Sequence, residues 1–175
     1  MEDNQSAWFS HLERIYAETA HPRGELKICT DCADAPCEVG PEQVTLLPFE
    51  AEFIVQRLEH AGMRVSLEEV KGIAGCQHCP FFQSRRCAIH PHRPVDCRTY
   101  PMVPVFAADS ITFSVSGVCP RRAGMDEPFV QLMAGVWEHL APRLPEAWKQ
   151  VFNARQPREF LEPLVNIGPM TPRSG

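Results

Sequence analysis

Apolar residues recur every three or four positions in several segments of this chain, which is the spacing of helices with one buried face. The first such segment covers residues 5–20. The apolar side chains that share its face are Trp8, Phe9, Leu12, Ile15 and Tyr16. A second helix is predicted over residues 48–61, because Pro48 suits a first turn and Gly62 suits a helix end.

Three further helices are predicted later in the chain. Ser66 and Glu69 have the spacing of a capping box, which indicates the start of a short helix. Amphipathic helices are also predicted over residues 127–141 and 145–155. The tail, residues 166–175, is predicted to be disordered.

A short antiparallel hairpin is predicted in the central part of the chain. Residues 102–106 and 111–118 alternate or run apolar, and Cys119 follows the second run. Five helices and one hairpin together predict an α-rich fold with a minor β part (α+β). We expect a single domain over residues 1–165.

The composition narrows the classes of function. A length of 175 residues suffices for one domain with a real core. The net charge of −5 disfavours a nucleic-acid binder, which usually has a basic excess. No apolar run is long enough to span a membrane, and the acidic start, residues 1–4, lacks a secretory signal. We therefore expect a cytoplasmic protein that binds neither nucleic acid nor membrane.

Eight cysteines are the main candidates for chemistry, and seven of them fall in two clusters. The clusters are Cys29, Cys32 and Cys37, then Cys76, Cys79, Cys87 and Cys97, with Cys119 following later. A C-x2-C pair places two sulfurs on one tight turn, which suits tetrahedral zinc and iron–sulfur clusters alike. Disulfides are disfavoured because cytoplasmic thiols stay reduced. We expect all eight to bind metal, which would pin an irregular central region.

The second cluster has a more specific pattern: CPFF at 79–82, CAIHPHRP at 87–94 and CRTYP at 97–101. This pattern resembles the YkgJ-type cysteine-cluster family, a zinc- or iron-chelating domain with a CxxCxxxCC signature. The resemblance spans residues 29–122. It implies a helix acid, matched here by Glu50 or Glu52. One of the two would face the metal site and hydrogen-bond a loop N–H, and the other would be solvated.

The chain departs from the family pattern in its first cluster. The family closes that cluster with adjacent cysteines, whereas here Pro36 takes the first of the two places and only Cys37 remains. Cys76 is an extra cysteine upstream of Cys79. Either Cys76 replaces the missing ligand, or one site has a changed ligand set.

An iron–sulfur cluster, of the 4Fe–4S type, is favoured over Zn2+ as the cofactor. Loops of uneven spacing wrap a cluster as readily as one ion. Structural zinc sites more often use two regular C-x2-C knuckles. A single zinc site on the two pairs present would leave Cys37, Cys87, Cys97 and Cys119 unexplained. Zinc is kept as the alternative.

Arg93 and Arg98 lie inside the family motif and are the candidate cofactor-binding side chains. A four-thiolate centre is negatively charged, and guanidinium groups beside it would offset that charge or hydrogen-bond sulfur. An anion-binding site for a substrate or partner is the alternative. Three nearby histidines are expected outside the ligand set: His78, His90 and His92.

The favoured function is electron transfer, redox sensing, or accessory work for a partner enzyme, with a protein as the partner. A structural zinc module for protein interaction is the second interpretation. The family's domain type also occurs in bacterial flagellin lysine methylases, so a cluster-dependent methylase is the third. The sequence contains no phosphate-binding glycine loop, serine-hydrolase elbow or zinc-protease motif, and it identifies no catalytic residue.

Overall fold

The computed structural model describes residues 2–20, 43–76, 78–84, 86–119, 122, 125–156 and 158–164. The predictions made for Cys29, Cys32, Cys37 and the tail lie outside the described residues. None of the helices in those ranges is long and apolar enough to cross a membrane.

The described part of the chain contains six α-helices. They are α1 (Glu2–Glu18), α2 (Glu50–His60), α3 (Leu67–Lys71), α4 (Val95–Thr99), α5 (Glu127–Leu140) and α6 (Glu146–Arg155). Short 3-10 helices cover His90–His92, Ala141–Arg143 and Arg158–Phe160. The α-rich class is confirmed, and α4 is the helix that the sequence did not predict.

Five short strands form two antiparallel sheets in the same ranges. They are β1 (Phe82–Gln83), β2 (Arg86–Cys87), β3 (Met102–Phe106), β4 (Ile111–Ser116) and β5 (Leu161–Pro163). β1 pairs with β2, and the other sheet has the order β3-β4-β5. The predicted hairpin is confirmed as β3 and β4, with Phe106 opposite Ile111. The β1–β2 hairpin and β5 are additions to the predicted fold.

Three helices begin at residues other than those predicted, of which α6 begins at Glu146 instead of residue 145. α1 begins at Glu2, ahead of the predicted start at residue 5. α2 begins at Glu50 instead of residue 48, because Phe49 has a left-handed φ of 59° and cannot belong to a right-handed helix. Pro48 therefore precedes the helix.

Side-chain caps define the starts of α3 and α5. In the predicted capping box, the Glu69 N–H donates to Ser66 Oγ over 3.2 Å, and the Ser66 N–H donates to Glu69 Oε2 over 2.7 Å. At α5, the Phe129 N–H donates to Asp126 Oδ1 over 2.9 Å. Each cap satisfies N–H groups that have no partner within the helix.

One hydrophobic core joins the helices to the three-stranded sheet. Its aromatic centre has ring centroids 5.1 to 6.4 Å apart and consists of Phe106, Trp137, Trp148 and Phe152. Such pairs add about 0.5–1.5 kcal/mol each beyond their buried area. At the other end of the core, Phe9 and Tyr16 of α1 contact Phe53 of α2 edge-on. The ring centroids are 5.4 Å apart for Phe9 and 5.1 Å apart for Tyr16. This contact holds α1 against α2.

A pair of histidines joins α1 to the end of α5. His139 Nε2 and His11 Nδ1 are 3.2 Å apart. Burial, followed by the charges of Arg14, Arg143 and His11, lowers the pKa of His139 to about 4. Burial, followed by Arg143 and Arg14, also lowers the pKa of His11. The folded state therefore favours the neutral form of both rings.

The histidine pair predicts a loss of stability in acid. An unfolded histidine has a pKa of about 6.5, so below that pH the unfolded chain binds more protons than the folded chain. The stabilisation is complete above about pH 6.5 and is lost as the pH falls towards the folded value of about 4. His139→Gln should therefore reduce the change in the free energy of unfolding between about pH 7.5 and about pH 5 in urea denaturation.

His60→Gln is the control for this prediction, since His60 is exposed on α2. It should leave the pH dependence of the free energy of unfolding as in the wild type. Identical pH dependence in His139→Gln and the wild type would contradict the prediction.

Candidate metal centre

The five described cysteines come from different elements of the fold. Cys76 follows α3, Cys79 precedes β1, Cys87 lies in β2, Cys97 lies in α4 and Cys119 follows β4. The first four are half-buried, whereas Cys119 is 2% exposed. The structure contains no disulfide between any two of these five. All are predicted metal ligands.

Cys79 opens a turn that has features of a metal-binding knuckle. Cys79 Sγ accepts hydrogen bonds from the backbone N–H groups of Phe81 and Phe82. Cys76 Sγ donates to the Ile73 carbonyl over 3.0 Å. Burial raises the pKa of both thiols, and the N–H groups act in the opposite direction on Cys79. N–H groups directed at a sulfur stabilise the thiolate, which is the form that binds metal.

The β1–β2 hairpin connects this turn to Cys87. The Phe82 N–H donates to the Cys79 carbonyl over 3.0 Å, and Phe82 lies opposite Cys87 in the strand pair. The Ala88 N–H donates to the Phe81 carbonyl over 2.8 Å. Cys79 and Cys87 both pack against the hydrophobic core. The hairpin thus ties two predicted ligands into one unit.

Helix α4 contains Cys97, and its first residue is held by Glu50. The Val95 N–H donates to Glu50 Oε1 over 2.7 Å. The Leu47 N–H donates to Oε2 over 2.9 Å, and the Tyr16 hydroxyl donates to Oε1 over 3.1 Å. Glu50 therefore joins α1, α2 and α4 through one carboxylate.

The sequence did not decide whether Glu50 or Glu52 is the helix acid that faces the site, and the structure favours Glu50. Its side chain is 0% exposed and hydrogen-bonds the backbone N–H at the start of α4, whereas Glu52 is half-buried rather than solvated. Burial raises the pKa of Glu50, while its three hydrogen bonds and the charge of Arg98 act in the opposite direction.

Arg98, also on α4, is 3% exposed and donates to neutral acceptors. Its Nε donates to the Arg93 carbonyl over 2.8 Å, its Nη1 to Thr19 Oγ1 over 3.2 Å, and its Nη2 to the Pro91 carbonyl. Its guanidinium carbon lies 3.9 Å from the centroid of the Tyr16 ring. The ion pairs found in the described ranges do not include Arg98.

Tyr16 completes this buried network, and the sequence did not identify it as a site residue. Burial raises the pKa of Tyr16 well above its ordinary value, Glu50 and Cys97 raise it further, and Arg98 opposes them. The hydroxyl therefore stays protonated and acts as a donor. Helical spacing placed Tyr16 on a buried face, and a buried Tyr hydroxyl needs a partner. The need for such a partner was the feature of the sequence that could have identified Tyr16 as a site residue.

Arg93 lies in the same segment and is 6% exposed. Its Nη1 donates to the His90 carbonyl over 2.8 Å and lies 3.2 Å from His90 Nδ1. His92 is half-buried and His78 is exposed. Contact of Arg93 and Arg98 with a cofactor stays a prediction, as does the exclusion of the three histidines from the ligand set.

Within the ranges described, no three His, Cys, Asp or Glu side chains form a group that holds a metal ion. The first cysteine cluster lies outside those ranges. Cys119 is fixed at the end of β4, where its N–H donates to the Ser116 carbonyl over 3.4 Å and its carbonyl accepts from the Arg122 N–H over 3.1 Å. The assignment of all eight cysteines as ligands stays a prediction.

Comparison with known proteins adds one finding. A family model, CxxCxxCC, described as "Putative zinc- or iron-chelating domain", matches residues 27–120. The matched span contains all eight cysteines together with Glu50, Arg93 and Arg98. It does not include α1, α5 or α6. No curated protein and no solved structure matches the chain.

Glu50→Gln should destabilise the protein, because an amide nitrogen replaces one acceptor oxygen. A buried N–H, that of Leu47 or Val95, is then left without an acceptor. The expected cost is about 1–3 kcal/mol in the free energy of unfolding, measured by urea denaturation. Glu52→Gln on the same helix is the control and should change it by less than about 0.5 kcal/mol. Equal stabilities of the two variants would show that the Glu50 carboxylate does not hold α4.

Proposed function

Because the chain belongs to the CxxCxxCC family of zinc- or iron-chelating domains, we propose that it is a cytoplasmic protein that binds a 4Fe–4S cluster through its clustered cysteines. It acts in electron transfer or redox sensing, or as an accessory to a partner enzyme, and its partner is a protein. The cluster supplies one-electron redox chemistry when bound. The chain supplies thiolate ligands, their hydrogen bonds and the surrounding charge.

The charge balance beside Cys97 is the observation that best supports this proposal. A buried cation is costly unless an anion compensates it. Arg98 is buried next to Cys97 in the chain and donates to neutral acceptors; Glu50 attracts its charge, although burial raises the pKa of that carboxyl. A centre ligated by four thiolates is an anion with either metal, and it would offset the charge of Arg98. The buried positive charge of Arg98 therefore fits an anionic centre of this kind.

The hydrogen bonds to Cys79 give independent support. Two backbone N–H groups donate to its sulfur, from Phe81 and Phe82. Such bonds stabilise a thiolate ligand and, in iron–sulfur proteins, raise the reduction potential together with nearby positive charge. Arg93 and Arg98 would act in the same direction, because the reduced cluster is the more negative state.

The choice of iron–sulfur over zinc rests on how the cysteines are presented. They come from a turn, a strand, a short helix and a strand end, with uneven spacing between them. Such loops suit a polynuclear cluster. A structural zinc module is the second candidate, because a C-x2-C pair such as Cys76 and Cys79, with N–H···S bonds at Cys79, is equally suited to zinc. No contact in the described ranges favours the methylase interpretation over these two.

Metal analysis of the anaerobically purified full chain separates the two candidates. Iron, acid-labile sulfide and zinc are measured on one sample together with its visible absorption spectrum. A coloured protein with matched iron and sulfide is expected for the cluster. A colourless protein with stoichiometric zinc would refute the cluster and support the zinc module.

Cys79→Ser should lower the metal content of the purified chain, because a serine hydroxyl does not replace a thiolate ligand. Ala88→Ser is the matched control: it places a hydroxyl at an exposed position of the same hairpin and leaves every thiol intact. Metal content is measured for both at equal protein concentration. Wild-type metal content in Cys79→Ser would remove Cys79 from the ligand set.

A further inference from the structure

Helix α1 lies outside the residues matched by the family model, yet one of its side chains, and that of a residue directly after it, belong to the hydrogen-bond network around α4. Tyr16 is 1% exposed and donates to Glu50. Thr19 is 2% exposed and accepts from Arg98. The ring of Tyr16 also lies against the guanidinium group of Arg98.

The network fixes α4 at both ends, with Cys97 between them. At the first residue, the Val95 N–H donates to Glu50 over 2.7 Å. Near the last residue, Arg98 lies 3.9 Å from the centroid of the Tyr16 ring. A helix of five residues is too short to be stable by itself, so its orientation depends on such contacts.

Tyr16 contacts both Glu50, which binds the first residue of α4, and Arg98, which lies near the last one. Its hydroxyl binds Glu50, and its ring face attracts a guanidinium group because the face of an aromatic ring is its negative side. An aliphatic side chain of similar size would provide neither contact. Tyr16 also lies near enough to Cys97 to be affected by a charge on that sulfur.

We propose that Tyr16 is a positioning residue of the metal centre, which orients Cys97 and the charge of Arg98 by binding Glu50 and Arg98 at once. This inference rests on the proposed function, because it requires Cys97 to be a metal ligand. Helix α1 is then part of the metal-binding unit, although the family model does not include it.

Three variants of the full chain, each purified in its metal-loaded form, test the inference. Tyr16→Leu removes both contacts, and Tyr16→Phe keeps the ring on Arg98 but removes the hydrogen bond to Glu50. Trp8→Leu is the matched control, because it removes a buried aromatic ring, 6% exposed, from the same face of α1 outside the network.

The readout is the EDTA concentration at which each protein loses half of its iron or zinc, with the visible spectrum recorded alongside. Tyr16→Leu should lose metal at an EDTA concentration lower by on the order of 10-fold or more, which is typical when a contact that supports a ligand is lost. Tyr16→Phe should lie between Tyr16→Leu and the wild type. Trp8→Leu should lower the melting temperature and leave the EDTA midpoint unchanged.

Equal EDTA midpoints for Tyr16→Leu and Trp8→Leu would reduce α1 to a packing role and overturn the inference. If Tyr16→Leu does not fold, Tyr16→Phe decides: a midpoint and spectrum identical to those of the wild type would overturn it. A wild-type chain that contains neither iron nor zinc would overturn the proposed function itself, and the positioning role with it.

Discussion

The carboxylate of Glu50 lies where three separate parts of the chain meet. It accepts hydrogen bonds from Tyr16 on α1, from Leu47 ahead of α2 and from Val95 at the start of α4. Any donor left unpaired in this buried position would cost about 1–3 kcal/mol. The three segments are therefore fixed relative to one another, and the position of Cys97 on α4 follows from that arrangement.

Because Glu50 and Arg98 are both buried, the charge of each affects the other. Neutral acceptors satisfy the hydrogen bonds of Arg98, and the charges of Arg98 and Glu50 attract each other, although burial raises the pKa of Glu50. A thiolate centre that includes Cys97 would add negative charge beside Arg98. Local arrangements that are unfavourable on their own are expected at functional sites, where a bound group or a distant contact offsets them. Here the family match and the buried arginine point to the same conclusion by separate routes.

The elements that periodicity predicted are those whose burial follows a local pattern. α1, α5 and the β3–β4 hairpin belong to this group, and the start of α3 followed from its capping box. α4 was missed because it has five residues and is held by Glu50, 45 positions away in the sequence. β5 was missed because its three residues are too few to show an alternation of apolar side chains, and they join the sheet by backbone pairing with β4.

The same distinction applies to the candidate site. The motif identified the cysteines and the two arginines by residue type, and it narrowed the helix acid to Glu50 or Glu52. Only the fold shows which acid is buried, that Arg98 lies on Tyr16, and that the hydroxyl of Tyr16 binds an acceptor 34 positions away. Spacing along a chain indicates which residues are buried, whereas long-range partners depend on tertiary packing.

Hydrogen–deuterium exchange of residues 86–100, in the metal-loaded chain and after metal removal, would most directly test whether a metal holds this region. If cysteine-bound metal stabilises the segment, its amides should lose protection when the metal is removed, while those of α5 and α6 keep theirs. Unchanged protection of residues 86–100 in the metal-free chain would show that the buried network folds without a metal and would contradict the central claim.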